Sequence, residues 1–159
     1  MVDSFNQDEL IKNTLSKAKT IAMVGVSALK KEDTSNVKRR PSIIVMKYMQ
    51  EFGYRVIPVN PFAIGKKING ENFVAKLDDI TETVDIIDVF RPSKEALAIA
   101  KESLKIKPKA FWLQYGIQNE EAEQIVINKN IKYISNKCIK QEYQRLFLNV
   151  SPVFPALKN

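Results

Sequence analysis

Histidine is absent from all 159 residues. Its absence removes Ser-His-Asp and Cys-His nucleophilic catalysis, histidine metal sites and phosphohistidine intermediates. Cysteine occurs once, at Cys138, so no internal disulfide can form, and a reducing cytoplasm is the expected compartment. No apolar run approaches the ~20 residues of a membrane span. Asp3, Asp8 and Glu9 interrupt the region where the apolar core of a signal peptide would lie. Glycine-rich phosphate loops are missing too. The first strand-to-helix turn holds Gly25 alone rather than G-x-G-x-x-G, and there is no Walker lysine pattern.

Charge is not scarce. The formal net charge is +7, which suits either nucleic acid or a small polyphosphate ligand. The basic residues are scattered except at Lys30, Lys31, Lys38, Arg39 and Arg40, which outnumber Glu32 and Asp33 in the same stretch. A local excess favours the small ligand, or else a solvated surface loop. The aromatic residues fall mostly at expected core positions, and no nucleic-acid-binding motif is present. Neither a nucleic-acid nor a membrane partner is therefore expected. A hydrophobic content of 45% is that of a folded domain, and the length fits a single domain covering both faces of a sheet.

The organising stretch is 20–42. Five of the six residues 21–26 are apolar, as in a buried central strand of a parallel sheet. Arg40-Pro41-Ser42 then opens a run of helical period. Proline tolerates the first turn and serine can cap it. A buried strand, a glycine and a helix N-terminus together form an anion site, since free N–H groups and the positive helix end face one point. The intervening loop, 28–40, is longer than the usual two to six residues or so.

The remaining periodicities alternate. Residues 4–19 predict an amphipathic helix. Residues 42–52 predict another, facing the sheet with Ile43, Ile44, Met46, Met49 and Phe52 and ended by Gly53. Strands are expected at 54–60, 84–90, 109–114 and 131–135, and Pro58 marks the first of these as an edge, or else marks that strand's end. Residues 62–80 predict a loop or small hairpin. Helices are expected after Pro92-Ser93, with Ala96, Leu97, Ile99, Ala100 and Leu104 inward, after the cap Asn119, and over 138–148. Residues 151–159 form a tail. Asp85 is expected at a strand start and Asp88 bonded to a neighbouring loop, with an acid-base role as the alternative. The pattern predicts an α/β fold, Rossmann-like and doubly wound, with a mainly parallel five-stranded sheet and helices on both faces.

These pieces resemble the small single-domain CoA-binding proteins related to the nucleotide-binding domain of the succinyl-CoA synthetase alpha subunit. The resemblance rests on Val24-Gly25-Val26-Ser27, Arg40-Pro41-Ser42 with Val45, and Tyr54 to Pro61. It continues in Val84 to Arg91, Trp112-Leu113-Gln114 with Gly116, and Cys138-Ile139-Lys140 with Glu142 and Arg145-Leu146. Tyr143 stands where a histidine is common. The core is expected over 20–146, a helix before it over 4–19, and a tail over 147–159. The resemblance implies CoA or acyl-CoA as the ligand. Its diphosphate is expected at Gly25, Val26 and Ser27 and at the helix start Pro41-Ser42, with Arg40 the charged contact. The adenine is expected by Asn60, Pro61, Phe90 and Arg91. Pantetheine would run towards Gln114 and Gly116, with Cys138 and Lys140 beyond. Each residue also has a plainer use: Gly25 permits tight packing, Phe90 is of core type, and Gln114 can bond backbone. Cys138, between Lys137 and Lys140 at a helix start, is either a reactive thiol able to form a mixed disulfide with CoA or a small packed side chain.

Without histidine or a second domain, the synthetase's ligase chemistry is out of reach. The expected function is a non-catalytic CoA-binding module: a sensor, carrier or regulator in acyl-CoA metabolism. The alternative is an enzyme using an NAD-like nucleotide cofactor, with Asp88, Lys140 or Cys138 as acid, base or nucleophile. No catalytic residues and no metal ligands are assigned.

Overall fold

Alternation along 20–26 builds the centre of the molecule. In the computed structural model, which describes residues 4–28 and 40–149, strand β1 spans Thr20–Val24. Ile21 and Met23 point to one face and Ala22 to the other, as a strand's period of two requires. Around it lie β2 (Arg55–Val59), β5 (Ile86–Val89), β6 (Ala110–Leu113) and β7 (Lys132–Ile134). The sheet order is β2-β1-β5-β6-β7 and every pairing is parallel, with Ile21 opposite both Val56 and Ile86. β2 is an edge strand, where Pro58 is tolerated.

Helices cover both faces. α1 (Ser4–Lys17), α2 (Pro41–Glu51) and α5 (Ile139–Phe147) pack on one face through Ile11, Leu15, Met46, Met49 and Ile139 against Met23 and Trp112. α3 (Ser93–Ile106) and α4 (Glu120–Ile127) pack on the other through Ala96, Ala100, Ala122 and Val126 against Ala22, Ile87 and Phe111. Strand, crossover and strand therefore wind in two directions from β1, as the sequence predicts. Asn119 caps α4 by accepting from the Ala122 N–H at 2.9 Å.

Several expectations are corrected. The buried stripe of α2 is Ser42, Ile43, Val45, Met46 and Met49; Ile44 and Phe52 are exposed by more than a third. One residue's step of about 100° carries Ile44 off the stripe. Phe52, past the last turn, instead lies 4.7 Å from the Tyr48 ring and 4.9 Å from that of Tyr143. In α3, Ser103 is buried while Leu97 and Leu104 are half-buried; its hydroxyl donates to the Ala100 carbonyl at 2.6 Å. Residues 62–80 do hold the small hairpin that is one of two expectations for them, β3 (Lys67–Ile68) and β4 (Glu71–Asn72), turning at Asn69-Gly70 with both φ angles positive. Asp85 behaves as expected, its carboxylate accepting from the Lys19 and Thr20 N–H groups at 2.8 and 3.0 Å. Asp88 does not. It is fully buried, opposite Met23 and Trp112 in register, and neither carboxyl oxygen has a hydrogen-bond partner among the described residues. Burial alone pushes its pKa well above the usual carboxylate range. The long basic loop, with Lys30, Lys31, Lys38 and Arg39, and the tail from residue 150 lie outside the described residues.

Candidate functional site: the crevice at the carboxyl ends of the strands

α2 leaves β1 towards one face and α3 leaves β5 towards the other. The two connections diverge and open a crevice between adjacent strand ends, where ligands of doubly wound folds bind. Gly25 sits at that point. Its φ is +96°, and a Cβ there would stand 2.8 Å from Arg91 Cδ and 2.9 Å from the Phe90 carbonyl oxygen. Both the backbone shape and the space demand glycine. Its N–H donates to the Val59 carbonyl at 2.9 Å, and the Phe90 N–H donates to the Val24 carbonyl at 2.8 Å, so three strand ends are tied together.

A cleft of about 570 Å³ opens beside this knot, lined by Gly25, Asn60, Pro61 and Arg91 among others. Asn60 fixes its wall. The side-chain amide donates to the Val26 carbonyl at 2.9 Å while its oxygen accepts from the Phe62 N–H at 2.8 Å. The resulting turn holds Pro61 and Phe62 over the cleft, with Phe62 90% exposed. Arg91 forms a two-point pair with Glu95, at 3.0 and 2.8 Å, which holds the Glu95 carboxyl below its usual range. Lys76 and Lys94 add cations to the lining. No serine or cysteine is among the described residues of this cleft, and the chain has no histidine.

The β1–α2 turn adjoins the cleft. Ser42 was expected to cap α2; instead Arg40 holds the cap position, Pro41 the first turn, and the Ile43 and Ile44 N–H groups both donate to the Arg40 carbonyl at 3.0 Å. The Ser42 hydroxyl turns inward and accepts from the Ser27 N–H at 3.1 Å. Val26 is fully buried and its carbonyl receives Asn60. The N–H groups of Gly25 and Ser27 are thus used within the protein. An anion here would meet the positive end of α2, with Arg40 at its cap, rather than those two amides.

The other candidate residues gather at the end of β6 and the start of α5, and they do not line the cleft. Gln114 is buried and its side-chain oxygen accepts from the Ile139 N–H at 3.1 Å. The Gly116 N–H donates to the Asn136 side chain at 2.7 Å. Cys138 is half-buried at the cap position of α5 and makes no side-chain cap bond. Lys140 holds its ammonium 5.2 Å from the centre of the Tyr48 ring. Phe90 packs on the α1–α2–α5 side, away from the adenine position expected for it. Tyr143 stacks on Phe147 at 4.8 Å within an aromatic group that joins α2 to α5. Sequence reasoning missed Phe62, Lys76 and Lys94. Phe62 could have been suspected, since it follows the Asn60-Pro61 turn; the two lysines carry no signal that separates them from surface charge.

The sequence profile of the CoA binding domain matches residues 19–144. The uncharacterized protein YneT of Bacillus subtilis is 39% identical over 130 residues, which are 82% of this chain and 89% of that one. A solved structure of a Thermus thermophilus protein, cell-free ID.343, is 39% identical with a TM-score of 0.79, covering 88% of this chain and 98% of the other. The dinucleotide-forming acetyl-coenzyme A synthetase 1 of Ca. Korarchaeum cryptofilum shares the fold alone. It is 21% identical with a TM-score of 0.53, over 74% of this chain and 26% of its own. A profile match across most of the length and close relatives at 39% identity lead to one conclusion: the chain belongs to the CoA binding domain family.

Proposed function

We propose that this protein binds coenzyme A at the crevice and acts as a non-catalytic module, a sensor, carrier or regulator of acyl-CoA metabolism in the cytoplasm. One observation carries the reading: Gly25, Asn60, Pro61 and Arg91, assigned to CoA by resemblance, line a single cleft of about 570 Å³. The chemistry of the wall supports it. Pro61 and Phe62 offer flat apolar surface to an adenine, and Lys76 and Lys94 offer charge to a ribose 3′-phosphate. The diphosphate would then cross Gly25 towards Arg40 and the start of α2, with pantetheine running to Gln114.

Thermal unfolding tests this. A ligand at ~100 times its Kd adds about 2.7 kcal/mol, several degrees for a domain of this size. CoA should raise Tm, and dephospho-CoA should raise it less. Lys76→Ala with Lys94→Ala should erase that difference. A rise with NAD and none with CoA would overturn the reading.

A further inference from the structure

A second and larger cleft, of about 740 Å³, lies at the opposite end of the sheet. It crosses the amino ends of β5, β6 and β7 and reaches α1 on one side and α3 on the other. Six lysines line it: Lys17, Lys105, Lys107, Lys109, Lys129 and Lys132. The one carboxylate among the described lining residues, Asp85, is already held by two backbone N–H groups.

A structural reason for these lysines exists and is too small. The helices run against the strands, so α1, α3 and α4 end here, and lysine near a helix C-terminus offsets the negative end of its dipole. Each end carries about half a negative charge. Lys105 also has a partner, Asp78, at 3.5 Å. Three helix ends, Asp85 and Asp78 together neutralise well under the six positive charges. A surplus of more than two charges is left facing one concavity, which lysines held for helix capping alone would not require. Among the described residues the lining contains no aromatic residue and no arginine, and Asn13 and Asn130 add neutral hydrogen-bonding groups. Bases would find nothing to stack on.

We infer that this cleft is a second anion site, separate from the CoA crevice, for a compact ligand carrying several phosphate groups and no base. Lysines from three segments of the chain line it, and ammonium ions bind clustered phosphate oxygens without demanding a planar geometry.

Titration with sodium tripolyphosphate tests the inference on the intact chain, with inositol hexakisphosphate as a second arm to separate a linear chain from a phosphorylated ring. Amide chemical shifts should move at 13–18, 105–109 and 129–132, and affinity should fall more than tenfold between 20 and 200 mM NaCl. Lys107→Gln with Lys109→Gln and Lys132→Gln should weaken tripolyphosphate at least tenfold while leaving the CoA-induced Tm rise unchanged. All three lysines are exposed, so the variant keeps its fold. The inference fails if shifts appear instead around Gly25 and Asn60, if CoA displaces tripolyphosphate, or if the triple variant binds as well as the parent. Lysine-dependent binding of an RNA or DNA duplex without binding of tripolyphosphate would also overturn it.

Discussion

Two glycines with almost the same φ separate packing from conformation. Gly25 has φ +96° and a would-be Cβ under 3 Å from Arg91 and Phe90; Gly53 has φ +97° and nothing within 4 Å. Gly53→Ala should cost only the left-handed backbone penalty, roughly 1–2 kcal/mol. Gly25→Ala adds displacement of the Arg91 stem, so it should lower Tm further and abolish the CoA-induced rise, which Gly53→Ala should keep. Equal losses and equal CoA responses would show that close approach at Gly25 is immaterial. Asp88 is the second informative residue. Burial without a partner raises its pKa, so the folded chain keeps this proton to higher pH than the unfolded chain, which releases it near pH ~3.9. Between those two values the folded state binds more protons, and stability falls as pH rises, by up to about 1.4 kcal/mol per pH unit. Asp88→Asn cannot ionise. It should match the parent near pH 4 and exceed it at pH 8 in a series of thermal melts; parallel curves would refute this. The sequence marks Asp88 as unusual in an apolar strand but cannot show that its oxygens find no partner among the described residues. Ser42 illustrates the same limit: a serine after proline reads as a cap, and only the path of the β1–α2 turn reveals that its hydroxyl serves Ser27 instead.

Among the elements, the order and type of strands and helices were legible, because hydrophobic period and capping residues act locally. Pro58 marked an edge strand, and Asn119 the start of α4. The rotation of α2 about its axis was not legible, since Ile43, Ile44 and Val45 are equally apolar and only the sheet beneath chooses among them. How α1 is held was not legible either. Arg145 on α5 grips Asp8 on α1 at two points, 2.6 and 3.0 Å, and also bonds Glu142 at 2.8 Å. Its hydrogen bonds hold the Asp8 carboxyl below the usual range. The Asp8 contribution is therefore complete above the usual aspartate pKa and is lost as pH falls through the lowered value, opposite in sign to Asp88. Asp8 is partly exposed, so solvent screens that pair and Asp8→Asn should cost well under 1 kcal/mol. Arg145→Ala is different because it leaves the buried Glu142 carboxylate without its cation, a loss of about 1–3 kcal/mol. Urea midpoints of the two variants should differ accordingly. If Asp8→Asn were as damaging as Arg145→Ala, the contact between α1 and α5, rather than the buried carboxylate, would be the stabilising feature.

Across the whole molecule, parallel topology sorts chemistry to two ends. In the parallel sheet, β1, β5, β6 and β7 each lead into a helix that runs back against them, so strand carboxyl ends collect helix N-termini and strand amino ends collect helix C-termini. The first end was foreseeable, because a glycine and a Pro-Ser helix start are adjacent in sequence to the strand they follow. The lysine-lined cleft was not foreseeable, because its residues come from segments as far apart as 13–18 and 129–132, each of which reads as ordinary solvated surface. This arrangement makes a prediction about the unliganded protein. Lysine near a helix end is an attraction, and lysine near lysine is a repulsion; salt weakens both. Six lysines face about three and a half negative charges, from three helix ends with Asp85 and Asp78, so repulsion dominates. Raising NaCl from 10 to 300 mM shortens the screening length from about 30 Å to less than 10 Å, past the scale on which these ammonium groups act on one another. The parent Tm should therefore rise with NaCl. The Lys107→Gln, Lys109→Gln, Lys132→Gln variant should start higher at 10 mM and rise less, so that the two curves converge by 300 mM. A parent Tm that falls with salt would mean that helix-end attraction outweighs the crowding, and that the surplus charge at this end is smaller than the lining implies.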